Sequence, residues 1–206
     1  MKKQDNYALQ VQQAKAHFLR YDQQALIEKL RLSHDETYFY PVMLSRRYRL
    51  HRQTGDLEVW QDGWQDANGF AQVMTMLDLV CDSSPQRSLT GRWKQMRDFG
   101  LMFHRSLLEE RDEWALRFAE DLPGLERACR ELGGVAMAVG DVAYAMELFD
   151  GLRICLQFWQ GDEEFAPQLR LLWDENALQY IKYETMYFAR GLLLQSIWEK
   201  MGHQKA

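Results

Sequence analysis

Two runs of alternating apolar residues meet at Asp150-Gly151. Val142, Tyr144, Met146 and Leu148 fall on one side of the first run, and Leu152, Ile154, Leu156 and Phe158 on one side of the second. A period of two is the strand period, since successive side chains point to opposite faces. Asp-Gly between such runs specifies a two-residue hairpin, because a type I′ turn needs positive φ at both central positions. The chain must therefore build an antiparallel sheet around this hairpin. A third strand is expected at 169–173, reached past Pro167, which has no N–H for pairing. Asp174 then reads as a helix N-cap, with a short helical turn over 175–181 and a longer helix from about 184 to 200. Met186, Leu193 and Ile197, with Tyr187, Leu194 and Trp198, recur there at helical spacing. Lys200 and Gly202 suit the helix end. The helix is expected to cover one face of the sheet.

The earlier part of the chain follows a similar order. A helix over 5–20 shows Val11, Ala14 and Phe18 on one face, with Asp5 as its cap, and Asp22 caps a second helix holding Leu26, Ile27 and Leu30. Tyr38, Phe39 and Tyr40 are strong β-formers, and Pro41 implies an edge or a bulge. Residues 48–52 alternate, 53–56 form a turn, and 57–60 return. Asp66 is expected to cap an apolar helix over 70–80, with Phe70, Val73, Met74, Leu77 and Val80 on one side. Residues 86–99 are polar and carry Arg87, Arg92, Lys94 and Arg97 around Trp93, the most basic stretch of the chain. Helices follow over about 101–120 and 123–132, the second capped by Asp121 and stopped by Gly133-Gly134. The fold class is α+β: two antiparallel β-meanders, each followed by a capped helix, with helices packed on the sheet. One domain over 1–206 is expected, with halves at 1–85 and 86–206. Trp64-Gln-Asp-Ala-Asn-Gly-Phe70 beside Trp173-Asp-Glu-Asn-Ala-Leu178 suggests a pseudo-repeat, although two capped helices after strands would look alike anyway.

Composition narrows the function classes. At 206 residues, 47% hydrophobic and 13% aromatic, the chain can bury a core. A net charge of −5 argues against a basic nucleic-acid footprint. The first residues lack an apolar signal core, and no run approaches the ~18 apolar residues of a membrane span. A cytoplasmic protein binding neither nucleic acid nor membrane is expected. Cys81, Cys129 and Cys155 contain no C-x-x-C and read as buried thiols.

Two constellations carry candidate chemistry. Asp162, Glu163 and Glu164 with Asp174 would end two adjacent strands, and together could hold a hard cation. They could equally shape a turn. Thr90, Gly91, Arg92, Trp93 and Arg97 would offer guanidinium groups, close backbone approach and an indole to an anionic or planar ligand. Alternatively, these arginines pair with the acidic segment. His104 and Trp159 complete the candidate set. Trp159 and Trp173 would point away from the Leu156 face, where an uncovered surface would make a pocket or a dimer interface. A cleft joining Arg92, Arg97 and His104 to Glu163 and Asp174 would favour ligand binding or an enzyme. A flat Trp/Tyr face would favour an interaction module.

The blocks Phe158-Trp-Gln-Gly-Asp-Glu-Glu-Phe165, Leu171-Leu-Trp-Asp174 and Tyr180 to Glu184, with Leu89-Thr-Gly-Arg-Trp93, Arg97-Asp-Phe99 and Leu132-Gly-Gly134, resemble a family of uncharacterised prokaryotic proteins. That family is known only as a domain of unknown function. Some longer members carry a four-cysteine iron–sulfur motif like that of corrinoid-protein subunits, a motif this chain lacks. The resemblance implies a non-catalytic small-ligand-binding or accessory protein linked to metallocofactor metabolism, and it supplies no catalytic residues. The alternatives are an enzyme using the acidic cluster with the arginine loop, and a homo-oligomeric interaction module, such as a homodimer. The sequence names neither a cofactor nor a metal.

Overall fold

The computed structural model describes residues 6–100 and 113–203. The chain forms two compact units, Met1–Ser88 with Leu178–Ala189, and Leu89–Ala177 with Arg190–Ala206. Each unit holds a five-stranded antiparallel sheet, and the described residues form an α+β fold.

In the first unit, helices α1 (Asn6–Phe18) and α2 (Gln23–Leu30) precede strands β1 (Tyr38–Phe39), β2 (Val42–Met43), β3 (Arg46–His51), β4 (Leu57–Trp60) and β5 (Trp64–Asp66). The order is β1-β3-β4-β5, with β2 also paired to β3. Asp22 caps α2 as its position requires, accepting from the N–H groups of Gln24 and Ala25. The proposed cap Asp5 lies outside the described residues. Phe39, Tyr48, Leu50, Leu57 and Val59 share the buried face of the sheet, and Phe18 of α1 meets Phe39 edge-on. The other face carries Tyr38, Arg49, Glu58, Trp60 and Trp64. Arg49 forks onto Glu58 at 2.6 and 2.9 Å and lies over the rings of Tyr38 and Trp64.

Helix α3 (Phe70–Cys81) closes this meander and packs against α1. Its cap is not Asp66. Gly69 holds the N-cap position without a side-chain bond, while Asp66 ends β5 and accepts from Asn68. A further strand, β5, replaces the expected cap, because Glu58 and Asp66 pair across β4 and β5.

In the second unit, strands β6 (Trp93–Gln95), β7 (Val135–Ala136), β8 (Val142–Phe149), β9 (Leu152–Trp159) and β10 (Gln168–Asp174) are ordered β6-β10-β9-β8-β7. The sheet is thus five-stranded and not the expected three. Its edges are two or three residues long, too short to show a period. The hairpin forms as the sequence dictates: Asp150 and Gly151 have φ of 50° and 82°, and Phe149 pairs with Leu152. A bulge falls at Leu148, between the Glu147 and Phe149 pairings. Ala143 and Ala145 are buried as fully as Val142, Tyr144 and Met146, so β8 is covered on both faces.

Helix α4 (Glu113–Ala119) contacts β10 and α5 (Leu122–Glu131) lies along β8. The expected start of α4, at 101–112, lies outside the described residues. Asp121 caps α5 through the Gly124 N–H at 2.9 Å. The turn expected over 175–181 is a 3-10 turn at Ala177–Gln179. Helix α6 (Tyr183–Lys200) begins in the first unit and ends in the second, where Trp198 packs edge-on to Trp114 of α4. It stops as anticipated, at Gly202 with φ 94°, with the N–H groups of Gly202 and His203 returning to Glu199 and Trp198. Among the described residues no helix is long and apolar enough to cross a membrane.

Gly151 sits in the left-handed region, and a side chain added there would meet only an ordinary contact with Leu89. Replacing it by Ala should therefore cost only the backbone strain, about 1–2 kcal/mol. Urea unfolding checks this, and an unchanged midpoint would contradict it.

Candidate functional site

The structure divides the sequence-derived candidates between the two ends of β10. At one end, Asp174 is buried and is not a helix cap. Its carboxylate accepts from the N–H groups of Thr90 at 3.0 Å, Gly91 at 2.7 Å and Asn176 at 2.9 Å, with the Thr90 hydroxyl at 3.3 Å. Gly91 has φ 74°, a conformation glycine adopts without penalty. Glu175 N–H donates to the Arg92 carbonyl at 2.8 Å, and the Arg92 guanidinium pairs with the Glu175 carboxylate. That hydrogen bond holds the Glu175 carboxyl below its usual range. Trp93 stands opposite Asp174 in the β6–β10 register. The alternative reading, in which this basic segment binds the acidic one, therefore holds for Arg92: these donors are spent within the protein. Arg97 follows in a 3-10 turn, exposed, with its guanidinium 3.9 Å from Asp98.

At the other end, Asp162 accepts from the N–H groups of Glu164 and Phe165, both at 2.9 Å, and so shapes its own turn. Gly161 is required there, because a Cβ would meet the Phe165 carbonyl oxygen at 2.4 Å and φ is 76°. Glu163 and Glu164 are exposed. Strand β10, seven residues and about 20 Å long, lies between the Asp162 turn and Asp174 at its far end, so the four carboxylates do not converge. Among the described residues no group of three or more His, Cys, Asp or Glu could hold a metal ion. His104 lies outside the described residues.

Register separates the two tryptophans. Trp173 pairs with Ile154 and shares the Leu156 face, fully buried, contrary to expectation. Trp159 lies on the opposite face beneath Arg170, 4.9 Å from its ring centre. Trp159, Arg170, Asp141, Asp162 and Phe165 line a shallow open depression of about 460 Å³.

The first unit contains a site that sequence reading missed. A cleft of about 280 Å³ lies between α1, α3 and the start of α6, with Ala14, His17, Met74, Leu77, Asp78, Cys81, Asp82, Lys182 and Thr185 on its walls. Asp78 is the deepest charge, its side chain 5% exposed. One oxygen, Oδ2, accepts the Lys182 backbone N–H at 2.8 Å. The other, Oδ1, makes no hydrogen bond, although Lys182 Nζ stands 3.4 Å away. Burial pushes the Asp78 carboxyl above its ordinary range, against the Lys182 backbone bond, the Thr185 hydroxyl and the Lys182 charge.

Around it, Lys182 Nζ and the Tyr21 hydroxyl both donate to Asp82. Burial opposes the charge on Asp82, but these two donors hold its carboxyl below the usual range. The Tyr21 hydroxyl is pushed up, by burial first and then by its bond to Asp82. His17 Nε2 lies 4.0 Å from Asp82. Burial drives the Cys81 thiol up to about 12, which makes it an inert wall and not a nucleophile. Cys129 and Cys155 are likewise free and buried. The sequence signal was an aspartate inside the apolar run Val73–Cys81, but its partner stands 104 positions away.

Removing Asp174 would orphan three backbone N–H groups. Asp174→Ala should destabilise the protein by about 3 kcal/mol or more and speed amide exchange at Thr90 and Gly91. Exchange rates unchanged from the parent would show that the clamp contributes nothing.

No curated protein and no solved structure matches the chain. A family model described as a domain of unknown function, DUF3786, matches residues 22–196, and that span takes in both units. With most of its length matched, the chain belongs to the DUF3786 family.

Proposed function

We propose that this protein is a non-catalytic small-ligand-binding or accessory protein whose site is the cleft beside Asp78. The observation that carries this reading is the Oδ1 atom of Asp78, a buried acceptor on the cleft wall with no hydrogen bond. Buried acceptors are rarely left unmade, and one facing a cleft is where a ligand donor gains most. We take the protein to act in the cytoplasm. We place it beside metallocofactor metabolism, the setting suggested by the resemblance to longer proteins with an iron–sulfur motif. The enzyme alternative has less support, because β10 separates the Asp162 turn from Asp174.

A second reading, self-association, draws on the outer face of the first sheet. Tyr38, Tyr40, Trp60 and Trp64 form one chain of ring contacts there, and Trp60 is 42% exposed. Aromatic residues with arginine are enriched where proteins meet.

Native mass spectrometry of protein purified without oxygen reads both. A retained small molecule that is lost in Ala14→Trp, a substitution that fills the cleft, supports the first reading. An apo dimer that dissociates in Trp60→Glu supports the second. A retained molecule unaffected by Ala14→Trp would refute the cleft as its site.

A further inference from the structure

We propose that the cleft selects a small organic amine, bound as its ammonium with an N–H on Oδ1 of Asp78 and its hydrocarbon part against Ala14, Met74 and Leu77. This rests on the reading of the cleft as a ligand site and adds the chemical class. Three observations on the walls converge on it.

The first is the acceptor itself. Asp78 is a carboxylate whose Oδ2 accepts a hydrogen bond and whose Oδ1 accepts none, with the Lys182 ammonium 3.4 Å away. When ionised it only accepts, so its complement must donate. A donor that is itself charged makes the stronger bond.

The second is the charge balance. Asp78 and Asp82 face one ammonium, Lys182. The other titratable groups facing them are His17 from α1, Cys81 from α3, Tyr21, which already donates to Asp82, and Lys29 from α2, whose ammonium is held on the Cys81 and Ser83 carbonyls at 2.8 and 3.1 Å. Of the two ammonium groups nearby only Lys182 pairs with the carboxylates, while Lys29 is bonded to backbone carbonyls, so the aspartate pair can take one more positive charge in direct contact. A carboxylate or phosphate ligand would meet both aspartates and be repelled. An alcohol could donate to Oδ1 but would leave the charge uncompensated. The Lys182 side chain is 59% exposed and is anchored on Asp82, so it can keep that partner while a ligand takes Oδ1.

The third is the lining. Ala14, Met74 and Leu77 give the cleft apolar walls beside the aspartates. At about 280 Å³ it lies at the small end of ligand clefts, roughly 300–1,000 Å³. A short hydrocarbon with one ammonium end fits both halves of this surface.

Calorimetry on the full chain with hexylammonium, hexanoate and hexanol tests the assignment, since the three probes share a body and differ at the head. Hexylammonium should bind, Ala14→Trp should abolish that binding, and Asp78→Asn should weaken it about tenfold or more. The Asp78 carboxyl carbon resonance of the parent protein should move with hexylammonium and stay fixed with hexanol, a readout that needs no variant to fold. Hexanoate or hexanol binding as tightly as hexylammonium, with loss in Ala14→Trp, would overturn the amine class and leave the cleft standing as a ligand site. Hexylammonium binding that is unchanged in Ala14→Trp and leaves the Asp78 resonance unmoved would overturn both.

Discussion

A carboxylate buried among apolar side chains sets the terms for the first unit. Asp78 lies on α3 between Leu77 and Leu79, both of them buried. Removing such a group from water costs several kcal/mol unless partners replace the lost hydration. The replacement comes from the start of α6, where the Lys182 N–H and ammonium approach from 104 positions along the chain. This contact helps to fix where α6 begins, and it brings Asp82 and Tyr21 into one network. Because the Lys182 side chain is mostly exposed, its ion pairs are screened by solvent and add modestly to stability. The backbone bond to Oδ2 carries the greater share of the restraint.

The second unit uses the same device with a different result. Asp174 also joins distant segments, holding the Thr90-Gly91 turn 83 positions or more away. Both of its oxygens are engaged, by three backbone N–H groups and a hydroxyl. A fully satisfied buried carboxylate is part of the scaffold. Asp78 differs by one oxygen without a hydrogen bond beside a cleft, and that difference separates a structural carboxylate from a candidate binding one. The reactive-looking sequence around Arg92 and Asp174 is thus an internal lock.

The elements read well where local chemistry decides them. The Asp150-Gly151 hairpin, the Asp22 and Asp121 caps and the Gly202 stop all depend on residues within a turn of each other, and all formed. Reading failed where distant partners decide. Trp93–Gln95 reads only as part of a polar, basic stretch, because an edge strand of three residues takes its pairing from β10. Asp66 and Asp174 looked like caps because an aspartate before a helical pattern is a good local signal, yet one extends a strand and the other bonds across the sheet edge. The acidic cluster was close in sequence, but a strand between its members carries them apart. The cleft is illegible for the same reason: Asp78 is a single polar residue within an apolar helix, and nothing local announces Lys182.

The central claim is that Asp78 is a carboxylate held against its own solvation beside an open cleft. Carbon NMR of the Asp78 carboxyl through an acid titration tests it directly. A midpoint above the ordinary aspartate value of about 3.9 is expected. The sign follows from linkage: a folded-state value raised above the unfolded one means that Asp78 favours the fold while protonated, and that this stability is lost as pH rises through its titration. A midpoint at or below the ordinary value would mean that Asp78 is already fully paired, and the cleft would lose the acceptor on which its function is argued.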